Sequence, residues 1–87
     1  MNNKKSIHNP IYSELIDRLT EERKRLGLSQ LEVATALHLT QADISKIEHK
    51  ERRLDVLELK KMLEAYRISE NKKLRDIIKF FFEMDRK

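Results

Sequence analysis

The chain has no cysteine, no tryptophan, one glycine and one proline. Without cysteine there is neither a disulfide nor a thiolate metal site, a composition that suits a reducing cytoplasm. With so few breakers in a chain rich in Leu, Ile, Glu, Lys and Arg, an all-α protein is expected. No strand pattern, internal repeat or low-complexity segment interrupts that reading. No apolar run approaches the roughly 20 residues of a membrane span. No apolar stretch follows Lys4 and Lys5, so the N-terminal segment does not read as a signal peptide. Blocks of like charge are also missing. The formal net charge of +4 is compatible with a polyanionic partner, but acidic and basic residues alternate, which is the pattern of solvated helix faces.

What is present is a series of helix starts. The 87 residues suffice for one small domain: residues 1–8 read as a flexible tail and residues 9–87 as the domain. Asn9-Pro10 has the form of an N-cap followed by Pro at the first helical position. Tyr12, Leu15, Ile16, Leu19 and Leu26 then recur at helical spacing, and Gly27 closes this helix in a left-handed cap. Ser29-Gln30-Leu31-Glu32 is a capping box opening a short second helix, with Leu31, Ala34 and Leu37 inward. Thr40-Gln41-Ala42-Asp43 opens a third, with Ile44 and Ile47 inward, and Asp43 reads as its cap. Asp55-Val56-Leu57-Glu58 opens a fourth, faced by Leu59, Met62, Leu63 and Tyr66. Ser69 is the expected cap of a last helix over residues 70–85.

The second and third helices are about eight residues each and are separated by about three. Joined that tightly they must cross steeply, as in a helix-turn-helix over residues 29–49. A close crossing needs a small side chain, and Ala34 supplies one. With Ile44 and Ile47 beneath, the third helix keeps an outer face of Gln41, Ala42, Ser45, Lys46 and His49. That face is short and polar, as a major-groove reader needs to be. In the last helix, Leu74, Ile77, Ile78, Phe80, Phe81, Phe82 and Met84 span an arc of roughly 200°, about twice what one core requires. The excess points to a dimer interface made by Ile77, Phe80, Phe81, Phe82 and Met84.

Catalysis finds no support. His8, His38 and His49 lack metal-ligand spacing, and there is no glycine-rich phosphate loop or Ser-His-Asp arrangement. The carboxylates read as residents of charged helix faces rather than of apolar surroundings. No enzyme activity, cofactor, metal or small-molecule substrate is expected.

Here the chain resembles the phage-repressor and Cro class of helix-turn-helix proteins, the xenobiotic-response-element-like (XRE) regulators. The matching residues are Leu26-Gly27-Leu28-Ser29-Gln30, Ala34, Thr40 through Glu48, and Glu51-Arg52-Arg53-Leu54-Asp55. The resemblance implies five helices and a homodimer on a pseudo-palindromic operator. It implies base contacts from Gln41, Ala42, Ser45 and Lys46, and backbone contacts from Ser29, Gln30, Thr40, Lys50, Arg52 and Arg53. It also implies a structural ion pair between Arg23 and Glu48. The sequence departs from the family where glycine is common, at His38 and Lys50. His tolerates a positive φ better than most residues, whereas Lys50 leads us to expect a longer third helix or one without a left-handed cap. A cytoplasmic transcriptional regulator acting at the nucleoid follows, with a regulatory protein partner as an option and no membrane partner. An antitoxin, which would bind a toxin and autoregulate its operon, is the alternative. An adaptor that kept the fold but lost DNA would need an acidic recognition face, which Gln41, Lys46, Arg52 and Arg53 argue against.

Overall fold

A side-chain cap marks the start of every α-helix. The computed structural model describes residues 9–84; the expectations for the tail, His8 and the terminal residues 85–87 lie outside that range. Five α-helices follow in order: α1 (Pro10–Arg25), α2 (Gln30–Leu37), α3 (Gln41–Glu48), α4 (Val56–Ala65) and α5 (Lys72–Glu83), with a 3-10 turn at Ile68–Glu70. Asn9 Oδ1 accepts from the Ile11 and Tyr12 N–H groups at 2.8 and 3.2 Å. Complete capping boxes open α2 (Ser29/Glu32), α3 (Thr40/Asp43) and α4 (Asp55/Glu58). Each cap contributes roughly 1 kcal/mol. The last helix departs from expectation. Ser69 lies in the 3-10 turn, and Asn71 is the cap, its side chain accepting from Leu74 N–H at 3.0 Å. The helix therefore begins at Lys72 rather than at residue 70.

The C-terminal ends are equally regular. Gly27 (φ 75°) closes α1, with Leu28 N–H donating back to Arg23 O and Gly27 N–H to Lys24 O. These two bonds form a Schellman closure. Equivalent left-handed positions after α2, α3 and α4 are filled by His38, Lys50 and Arg67, at φ 60°, 63° and 62°. The expectation for Lys50 is thus overturned. It adopts the left-handed conformation despite its Cβ, and Glu51 N–H donates to Lys46 O in the same closing pattern. Such residues carry a steric cost of roughly 1–2 kcal/mol each, which the turns impose because each chain reversal must be tight.

Leu15, Ile16 and Leu19 of α1 pack with Val33, Ala34 and Leu37 of α2, Ile44 and Ile47 of α3, Met62 and Tyr66 from the α4 region, and Leu74 and Ile77 of α5. One inward assignment fails, and one residue of the α1 apolar spacing stays outside. Leu31 is 60% exposed: the buried arc of α2 is centred between Val33 and Leu37, which turns Leu31 more than 90° away. Leu26 is also exposed, because the helix ends there and the inward stripe is occupied by Glu22 and Arg23 instead.

Glu22 also corrects the view that carboxylates avoid the apolar interior. Its side chain is 0% exposed. It accepts from Arg25 Nε at 2.8 Å and from Asn71 Nδ2 at 2.7 Å, and the Arg25 guanidinium is the main reason its pKa is lowered. Asn71 also donates to Tyr66 O at 3.0 Å. A buried polar cluster therefore ties the end of α1 to the start of α5.

Candidate nucleic-acid interface

The turn between α2 and α3 is built from the backbone outward. His38 N–H donates to Thr35 O and Leu39 N–H to Ala34 O, at 3.3 and 2.9 Å. The reversal brings α3 against α2 over Ala34, which is fully buried, as are Ile44 and Ile47 beneath α3. Burying each isoleucine contributes roughly 1.5–3 kcal/mol, enough to fix the rotation of a helix only two turns long. The opposite face carries Gln41, Ala42, Lys46 and His49 exposed and Ser45 half-buried. His49 Nδ1 sits 2.8 Å from Ser45 O, so that ring is held against its own helix. Asp43 is engaged by its box, and the Thr40 backbone N–H is the main cause of its lowered pKa. Its carboxylate thereby supports the helix start.

Behind this face runs a hydrogen-bonded relay. Arg23 of α1 grips Glu48 of α3 in bidentate fashion, Nε to Oε2 at 2.7 Å and Nη2 to Oε1 at 3.0 Å, and Nη1 donates to Leu28 O at 2.8 Å. Both side chains are at most 10% exposed. Each guanidinium nitrogen donates one hydrogen bond, and the bond to Glu48 is the main cause of the raised Arg23 pKa. Glu48 Oε1 also accepts from Gln30 Nε2 at 3.0 Å, and Gln30 Oε1 accepts from Gln41 Nε2 at 3.4 Å. The chain of contacts leads from a nearly buried arginine to the first residue of α3.

The flanking positions divide. Ser29 and Thr40 are exposed at the N-termini of α2 and α3, each occupied by its own box. Lys50 turns back to Asp17 of α1. Arg52 forms a bidentate pair with Glu58 at 2.9 and 3.0 Å and so braces the loop onto α4. Arg53 is exposed beside it, with no ion-pair partner among the described residues. The loop is further held by Leu54 N–H, which donates to the Tyr12 hydroxyl at 3.0 Å. None of the Lys50, Arg52 or Tyr12 tethers was read from the sequence. The one local sign is Glu58 at the start of α4, six residues from Arg52.

The residues expected at a dimer interface also separate. Ile77 lies in the monomer core, Phe81 is half-buried against it and Met84 is half-buried. Ile77 therefore cannot offer an exposed surface, because Leu74 and Ile77 form the inward stripe of α5. Phe80 is 40% exposed and lies under the Arg18 guanidinium, 4.1 Å from its ring centroid. Phe82 is 74% exposed and meets Phe81 edge-on at 5.3 Å. It lines an apolar groove of about 380 Å³ with Val56, Leu59, Leu63 and Ile78.

Among the described residues no cluster of three or more His, Asp or Glu side chains could hold a metal ion, and no helix is long and apolar enough to cross a membrane. A protein-family model described as helix-turn-helix matches residues 19–73, from the inward Leu19 of α1 to the start of α5. No curated protein matches the chain.

Proposed function

Because the chain belongs to the Cro/XRE-type family of helix-turn-helix regulators, a DNA-binding regulatory family and not an enzyme family, we propose that it controls transcription as a homodimer on a pseudo-palindromic operator. Each α3 enters one major groove. Gln41 bonds an adenine edge, Lys46 a guanine, and the Ala42 methyl touches a thymine methyl. Gln30 and the N–H groups that open α2 hold a phosphate, and Arg53 lies along the backbone. The observation that carries this reading is the outer face of α3, which is exposed while its inner face is fixed by Ile44, Ile47 and the Arg23–Glu48 pair. The apolar groove edged by Phe82 supports self-association through α4 and α5, which sets two α3 helices about 34 Å apart, one turn of DNA. In this role the protein works in the cytoplasm, at the nucleoid.

Quantitative binding to a selected operator tests the reading. Lys46→Ala should cost about 1–3 kcal/mol and relax preference at one base position per half-site. Arg53→Ala should weaken all sequences alike and flatten the salt dependence. Identical specificity profiles for the two variants would contradict this division of roles.

A further inference from the structure

We propose that a single water molecule is bound beneath α3, where the hydroxyl of Tyr66 from the end of α4, the carboxylate of Glu48 from α3 and the hydroxyl of Thr20 from α1 converge. The water extends the Arg23–Glu48 pair into the core and joins three helices through one polar contact.

The starting point is a buried donor. Tyr66 is 1% exposed, and its hydroxyl has no hydrogen-bond partner among the described residues. Burial raises its pKa, so the group stays protonated and able to donate. A buried hydroxyl without a partner is costly, and nearly all such groups are bonded to protein or to water. Tyr66 borders a cavity beneath α3 whose apolar walls include Ile47 and Met62, and whose other polar members are Thr20 and Glu48. It offers about 10 Å³ to a water-sized sphere, the room that one buried water requires. Both remaining polar members can accept. A carboxylate has about four acceptor positions, and three of those on Glu48 are taken, by Arg23 Nε on Oε2 and by Arg23 Nη2 and Gln30 Nε2 on Oε1. Thr20 Oγ1 donates its proton to Ile16 O at 2.8 Å, which leaves its lone pairs for another donor. A water that accepts from Tyr66 and donates to Glu48 and Thr20 makes about three hydrogen bonds, the usual number for a buried water. Its way in is a polar surface groove of about 370 Å³ between α1 and the end of α3, which shares Thr20 and Glu48 with the cavity.

Oxygen-17 relaxation dispersion, which senses whole water molecules held longer than the protein tumbles, tests the site on the free protein. Thr20→Val combined with Tyr66→Phe leaves Glu48 as the only polar partner, and a single partner does not hold a buried water. Wild type should therefore show one more long-lived water than this double variant. Equal dispersions overturn the proposal, and they are also the result if Tyr66 reaches Glu48 directly. Melting curves supply a second reading. Tyr66→Phe should lower the melting temperature by roughly 4–8 °C, because a bonded hydroxyl is lost. A hydroxyl without a partner predicts the opposite sign, since deleting it removes a desolvated donor. A raised melting temperature therefore overturns the proposal even where the double variant does not fold.

Discussion

Glu48→Ala is the most informative single change in the scaffold. In the native protein Arg23 and Glu48 share two hydrogen bonds and are almost wholly shielded from water. Removing the carboxylate leaves a guanidinium in that site with only Leu28 O as acceptor. Breaking a buried pair from one side costs about 3–5 kcal/mol. The slight exposure of both side chains favours the lower end, about 3 kcal/mol. For a domain of this size each kcal/mol shifts the melting temperature by about 4–8 °C, so a fall of roughly 12–24 °C is expected by calorimetry or circular dichroism. The loss comes from the stranded charge, not from a missing attraction. Replacing both partners by apolar residues, Arg23→Met with Glu48→Leu, should therefore recover most of the stability. An unchanged melting temperature for Glu48→Ala would refute the reasoning, and so would a double variant less stable than the single one.

Arg67→Gly should stabilise the fold by about 0.5–1 kcal/mol, because relief of the left-handed strain exceeds the extra freedom glycine gains in the unfolded chain. A lower midpoint in urea would contradict the strain at φ 62°. Glu22, whose pKa is lowered chiefly by Arg25, should make stability pH-dependent. Its contribution is complete above the ordinary glutamate value of about 4.3 and is lost as pH falls through the lowered folded-state value. Melting curves of wild type should therefore drop in that acid range more steeply than those of Glu22→Gln; parallel curves would exclude the role. Phe82→Glu should give a folded monomer in equilibrium sedimentation while Phe80→Glu, changed on the Arg18 side of α5, leaves the dimer intact. The opposite ranking would move the interface.

Much of this architecture is legible in the residues themselves. The Asn9-Pro10 start, the three capping boxes and the Gly27 stop are local chemistry, and four of the five helix starts follow from them. Rotation of a helix is less local. With eight residues, α2 has too few periodic positions to fix its phase, and Leu31 reads as core where Val33 serves. A second shortfall is the polar interior. Glu22 and Arg23 fall on the inward stripe of α1, three and four residues after Leu19, which signals that each needs a buried partner. Glu22 finds its distant partner in Asn71, 49 residues away in the chain, a distance no periodicity spans. Long-range tethering likewise takes Lys50 to Asp17, and Arg52 reaches Glu58 only six residues on, so side chains that read as loop cations are engaged within the protein. The excess apolar arc of α5 was visible as a pattern. Its division between core, Arg18 stack and open groove depends on where α1 and α4 lie.

Selection of bound duplexes from a random DNA pool addresses the central claim directly. The account predicts enrichment of an inverted repeat whose half-sites are centred about 10 base pairs apart. Each half-site should hold an adenine and a guanine at the positions facing Gln41 and Lys46. A pool that stays unenriched, or that yields a site without inverted symmetry, would contradict it.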